Sequence, residues 1–281
     1  MGDQFSNLKP LVLVRGGGDL ASGVILRLHH SGFHVMVAEL NDPLTVRRLV
    51  SFSSAVHLGT FTIEDVEGVL ASSSDAALNV LANHKIAIMI DPQASRLLSL
   101  NPVAVIDARM LKTEVFSDLQ EKPMLIGLGP GFTAGKNCHA VVETNRGPYL
   151  GRVYWNGSCQ EDTQIPEKVM EYSHERVLRA PENGIFHQVA SIGDILHPGD
   201  LIATVEGKPL IAPFKGVLRG LIQDGLKVTA GMKIGDIDPR CDPQLCRIVS
   251  DKALAIGGGV LEALLSNPEI RMQLGKMDET L

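Results

Sequence analysis

The residues best suited to chemistry sit in short loops that follow apolar runs. The first, Arg15-Gly16-Gly17-Gly18-Asp19, fits the pattern G-x-G-x-x-A, with Gly16, Gly18 and Ala21 at the small positions. That spacing serves a tight turn, a bare backbone beside a phosphate and close packing of the next helix, with the anion at the helix N-terminus. Glu39 stands about 20 residues further on, where an acid would hold a ribose hydroxyl. Asp19 works against this reading, because its carboxylate can cap the helix and disfavours a pyrophosphate there. Arg15 offsets that charge. The loop is either a phosphate cradle or a self-capped turn without a ligand. A second glycine loop, Gly127-Leu128-Gly129-Pro130-Gly131, runs on to Gly135-Lys136. Three residues separate Gly131 from Gly135 and Asn137 follows the lysine, so the Walker mechanism fails. The amides of Gly127, Gly129 and Gly131 remain candidates for ligand contact.

Three further residues are candidates for catalysis. Cys138-His139 pairs a thiol with a potential imidazolium, a combination suited to a nucleophile or to handling sulfur or selenium. A strand cysteine with no chemistry is the plainer alternative. Asp107 and Arg109, two apart at a strand end, form either an ion pair or part of a catalytic group. No metal site emerges. His29 and His30 are adjacent and cannot share a helix face, and Cys241 and Cys246 have no partner pair.

These loops need a framework, and the first half supplies alternating elements. Short apolar runs at Leu11–Val14, Val35–Ala38, Ala55–Leu58, Ile86–Ile90, Val103–Ile106 and Met124–Ile126 predict strands. Helical spacing follows Leu20, a helix is expected to begin at Pro43, and Asp75 is a candidate cap for Ala76–Ala82. The pattern predicts an α/β fold with a Rossmann-like doubly wound parallel sheet, whose strand ends converge on one ligand-binding edge. In the second half, Ala180-Pro181-Glu182-Asn183-Gly184 returns 32 residues later as Ala212-Pro213-Phe214-Lys215-Gly216. The repeat resembles a biotinyl/lipoyl-like β-sandwich, the barrel-sandwich hybrid. Lys208 sits in the connecting hairpin, but the short turn and Pro209 argue that it carries no covalent biotin or lipoate. Ser250 should cap a final helix carrying Gly257, Gly258 and Gly259. The expected division is a nucleotide-binding domain at 1–135, a β-rich connection at 136–174, the sandwich at 175–240 and a helical segment at 241–281.

Composition narrows the function. The chain has 281 residues and a net charge of −6, which repels a phosphate polymer and argues against nucleic-acid binding. No apolar run approaches a membrane span, the opening Met1–Pro10 is polar, and four irregularly spaced cysteines suit a reducing cytoplasm. A homo-oligomer is compatible with all of this.

The order of motifs along the whole chain resembles a family. Arg15 to Gly23, Gly127 to Phe132, Val142 to Gly147, Leu150 to Val153, Arg176 to Pro181, and the ending from Ser250 to Ala263 look like the YqeB-type accessory proteins of selenium-dependent molybdenum hydroxylases. The resemblance implies an XdhC-like Rossmann domain and a role in maturing a molybdenum hydroxylase, with that enzyme or its cofactor machinery as partner. It implies a nucleotide or a molybdopterin dinucleotide as ligand and brings no catalytic residue with it. Two alternatives stand beside it: an NAD(P)-dependent oxidoreductase, and a non-enzymatic scaffold that docks a partner enzyme.

Overall fold

The computed structural model describes residues 10–114, 123–161 and 168–275; the polar opening Met1–Lys9 lies outside them. Apolar runs flanked by turns build the framework. β1 (Leu11–Arg15) and β2 (His34–Glu39) pair in parallel, and α1 (Asp19–His30) between them buries Ala21, Val24, Ile25 and Leu28. Two 3-10 turns and the one-turn α2 (Ala55–Leu58) lead to a hairpin of β3 (Thr60–Ile63) and β4 (Val66–Leu70). Then come α3 (Ser74–Ala82), β5 (Ile86–Ile90), α4 (Ser95–Leu98), β6 (Ala104–Asp107) and β7 (Met124–Leu128). Four short strands follow: β8 (Thr133–Ala134), β9 (Ala140–Val142), β10 (Val153–Tyr154) and β11 (Gly157–Ser158).

Nine of these strands form one mixed sheet, in the order β10-β9-β7-β6-β1-β2-β5-β4-β3. Neighbours from β9 to β4 are parallel, whereas β10 and β3 close the two edges antiparallel. This corrects the expected Rossmann-like doubly wound parallel sheet. In that order the strand after β2 would lie directly beside it; here β5 takes the place and pushes the hairpin outward. Two local expectations also change. Ala55–Leu58 is a helical turn rather than a strand, stopped by Gly59 at φ +79°, and no helix begins at Pro43. The cap of α3 is Ser73, whose hydroxyl accepts from the Ala76 amide at 3.1 Å, not Asp75.

The second half is strand-rich. It contains β12 (Val177–Arg179), β13 (Gly184–Gln188), β14 (Ile195–Leu196), β15 (Leu201–Val205), β16 (Lys208–Ile211), β17 (Gly216–Leu221), β18 (Lys227–Val228) and β19 (Lys233–Asp238). They make two four-stranded antiparallel sheets, β12-β19-β17-β14 and β16-β15-β13-β18, while β8 and β11 pair separately. The expectation of a biotinyl/lipoyl-like sandwich appended after a Rossmann domain is corrected to this set of small sheets, keyed into the first half. Val46 packs against their core, the Leu221 amide donates to the Val46 carbonyl at 2.8 Å, and Arg48 Nε donates to the Leu221 carbonyl at 2.7 Å.

The chain returns to the large sheet through α5 (Asp251–Ser266) and α6 (Pro268–Gly275). Val249, Ala253, Ile256, Val260 and Leu264 join the core formed by β1, β2 and α1. Glycines make the contact with α1 possible. A Cβ on Gly23 would lie 2.5 Å from the Ala253 carbonyl carbon, and one on Gly257 would lie 2.7 Å from the Gly23 oxygen. Among the described residues no helix is long and apolar enough to cross a membrane.

Candidate functional site

The parallel strands end on one edge, and the loops there surround a cleft of about 630 Å³, within the ~300–1,000 Å³ usual for small-molecule sites. Its floor is an ion cluster. Asp107, buried at the end of β6, accepts from Arg109 Nε at 2.9 Å and from Nη2 at 2.6 Å. Arg15 Nη1 lies 3.5 Å from the same carboxylate. Burial and the neighbouring Arg109 lower the Arg15 pKa, against the attraction of Asp107 and Asp91. Two guanidinium groups thus share one carboxylate, and both line the cleft. Leu40, Leu44, Val46, Met110 and Leu111 form its apolar walls, and Lys233 of β19 reaches in from the second half. Leu40 and Leu44 are half exposed, so a ligand seated there would cover apolar surface now in water.

The first glycine loop borders this cleft, but its hydrogen bonds are directed inward. Gly16 takes φ +89° and lies beside Ala108 and Arg109. The Gly17 amide donates to Glu39 Oε2 at 2.6 Å, and the Leu40 amide donates to Oε1 at 2.7 Å. Burial raises the Glu39 pKa above the usual carboxylate range, despite these two donors. Glu39 therefore clasps the glycine loop to β2. Gly18 begins α1 with no side-chain cap, Asp19 Oδ1 accepts from the Leu20 amide, and Asp19 Oδ2 lies 3.6 Å from Arg47 Nη1. Gly16, Gly18, Asp19 and Glu39 all line the cleft.

The remaining sequence candidates lie elsewhere. Gly127 makes room for Phe132, and Gly131 for the Leu111 and Thr113 carbonyls. Gly129, at φ +86°, sits beside Met110 and Thr144, behind the cleft wall. Cys138 is fully buried in a small core with Phe132, Val141 and Cys159, and burial pushes its thiol up to about 11. A neutral, solvent-inaccessible thiol has neither the ionisation nor the access that a nucleophile needs. The adjacent His139 accepts from the Leu125 amide through Nδ1 at 2.8 Å. Lys208 opens β16, where its ammonium pairs with Glu182 at 2.8 Å.

Local sequence patterns missed Arg47, Val46 and Lys233. Arg47 is 8% exposed and donates through Nη2 to the carbonyls of Leu245 and Ile248, about 200 positions away. Lys233 comes from an equally distant strand. Only the even mixture of apolar and basic residues in Leu44–Arg48 hinted at a buried, charged segment. The lining side chains offer charge, hydrogen bonding and apolar contact, and among the described residues no serine, cysteine or histidine lines the cleft. Among the described residues no cluster of three or more His, Cys, Asp or Glu could hold a metal ion.

No family model matches the chain. It is 48% identical over 255 residues to an uncharacterised protein YqeB of Escherichia coli K12, a match covering 91% of this chain and 47% of the relative. The chain thus spans about half the length of that relative. Among solved structures it is similar to an aspartoacylase family protein of Mesorhizobium loti at 10% identity, covering 82% of this chain and 85% of the other, with a TM-score of 0.24. A succinylglutamate desuccinylase of a Silicibacter species is 13% identical over 83% of this chain and 85% of the other, also at a TM-score of 0.24. Scores this low establish no shared fold. The YqeB relative is not named for molybdenum, selenium, an XdhC-type insertion protein, a nicotinamide cofactor or a scaffold. The expected accessory role in molybdenum hydroxylase maturation, the oxidoreductase and the docking scaffold are corrected accordingly. The strand order and the inward clasp of Glu39 remove the structural basis for Rossmann-type nucleotide binding.

Proposed function

We propose that this chain binds a small molecule carrying a phosphate or carboxylate group on an apolar body, at the strand-end cleft. One observation carries the reading: Arg15 and Arg109 line an apolar-walled cleft and share Asp107 as ion-pair partner, with Asp91 a further counter-charge to Arg15. A guanidinium fork matches an oxyanion, and a desolvated site strengthens that attraction. Asp19 and Glu39 crowd the glycine loop with negative charge, so the anionic group belongs between Arg15, Arg109 and Lys233 rather than over Gly16–Gly18. Leu40, Leu44 and Met110 take the apolar part. A cytoplasmic location belongs to the same reading, supported by four free cysteines.

The test is calorimetric titration of the full chain with a panel of phosphorylated and carboxylated small molecules, nucleotides included. Arg109→Gln should weaken the best binder by about tenfold or more, since a charged hydrogen bond contributes roughly 1.5–3 kcal/mol. A panel without binders, or an Arg109→Gln chain that binds as tightly as the parent, would refute the assignment.

A further inference from the structure

A second cavity, of about 280 Å³, lies between the strand-rich half and the start of α5. Arg146, Arg176, Arg219 and Arg240 line it, together with Ser250 and Asp251. Three of these arginines have a carboxylate within hydrogen-bond reach. Arg146 grips Asp251 through both Nη atoms at 2.7 and 2.8 Å, and Arg240 grips Asp238 through Nε at 2.9 Å and Nη2 at 2.5 Å. Arg176, 7% exposed, meets Asp236 at 3.4 Å. Arg219 is the fourth. Its Nη1 stays 3.8 Å from Asp236 and from Asp238, beyond hydrogen-bond distance, and its buried Nε has no hydrogen-bond partner among the described residues.

Counting Arg47 and Asp19 behind the wall and Asp242 beside Arg240, the described carboxylates match the guanidinium groups in number, so Arg219 is set apart by its hydrogen bonding and not by an excess of charge. Arg219 lines the cavity with Nη1 held off both carboxylates, and an oxyanion is the acceptor that a guanidinium fork fits best. We infer that this cavity is a second anion site, taking a phosphate group with Arg219 as principal donor. Ser250 and the first turn of the sixteen-residue α5 add a favourable dipole beside it. Leu245, Ile248 and Val249 supply an apolar wall for an organic substituent on the phosphate.

The experiment follows the Arg219 Nε–Hε NMR signal of the full chain, assigned through its own side-chain carbons, during titration with inorganic phosphate or phenyl phosphate. The signal should move saturably with at least one probe, and the response should persist in Arg109→Gln, which separates this site from the strand-end cleft. Arg219→Lys keeps the charge but loses the fork, and should weaken binding by about tenfold, followed in that variant at the Arg176 Nε–Hε signal. Tighter binding of phenyl phosphate identifies a phosphate ester as the ligand; equal or tighter binding of inorganic phosphate identifies the free ion. An Arg219 signal unmoved by both probes overturns the assignment, as does a response that vanishes in Arg109→Gln.

Discussion

At the scale of single residues, Asp238 shows how tightly charge is balanced inside the molecule. Its side chain is wholly buried and holds Arg240 through three hydrogen bonds, two from the guanidinium and one from the backbone amide, with Arg219 nearby. Burial alone would raise its pKa, yet the hydrogen bonds and charges of Arg240 and Arg219 bring it below the usual value. Asp238→Asn removes the carboxylate that Arg240 hydrogen-bonds and one of the two near Arg219, and should cost about 1.5–3 kcal/mol at neutral pH, measured by urea unfolding. The sign with pH follows from the lowered pKa: the stabilisation is fully present above the unfolded value near ~3.9 and is lost as pH falls through the folded one. The gap between parent and Asp238→Asn should therefore narrow below about pH 4. Glu39 marks how far residue types can be read. Its position after the second strand announces a functional acid, but a ribose hydroxyl and a backbone amide are both donors. Only the folded loop decides that Gly17 is the one it meets.

Among elements, the contact of α1 with α5 depends on which glycine faces which surface. Gly257 lies against the Gly23 carbonyl, which is backbone and cannot yield, whereas Gly258 faces open space. Gly257→Ala should destabilise by about 1–3 kcal/mol through overpacking. Gly258→Ala should stabilise by about 0.5–1 kcal/mol, because alanine is the better helix former and nothing opposes its methyl. Thermal unfolding of the two variants should therefore shift in opposite directions. Elements built on continuous apolar runs, such as Ile86–Ile90, were legible from the sequence because burial on both faces leaves no polar interruption. Ala55–Leu58 was not, since four apolar residues suit a helical turn as well as a strand. The Thr60–Ile63 strand hides behind that turn, with Thr60 and Thr62 exposed and Ile63 buried. Strand order was beyond reach for a different reason: the place of β5 between β2 and β4 is decided by packing across the sheet, to which no local pattern is sensitive.

For the whole molecule, the two halves are joined by the segment around Val46 and Arg48 and by the return of α5 onto the large sheet. Arg48 donates to the Leu221 carbonyl and to the side chains of Gln223 and Gln188, which fixes where Lys233 enters the cleft. The cleft is thus complete only when both halves are present, and no reading of either half alone could have assembled it. The return of α5 also bears on how the chain is made. Val24, Ile25 and Leu28 of α1 belong to a core that includes Ala253, Ile256 and Val260. About 220 residues, 31–250, separate the two helices along the chain. Ribosomes add roughly 5–20 residues per second, so the apolar side of α1 leaves the ribosome on the order of 10–45 s before its cover exists. Ribosome-bound chains stalled with residues up to 240 outside the tunnel should be cut rapidly by protease within 11–40, and chains released through 275 should resist. For that interval the newly made first half is a client for any chaperone that binds exposed apolar helices.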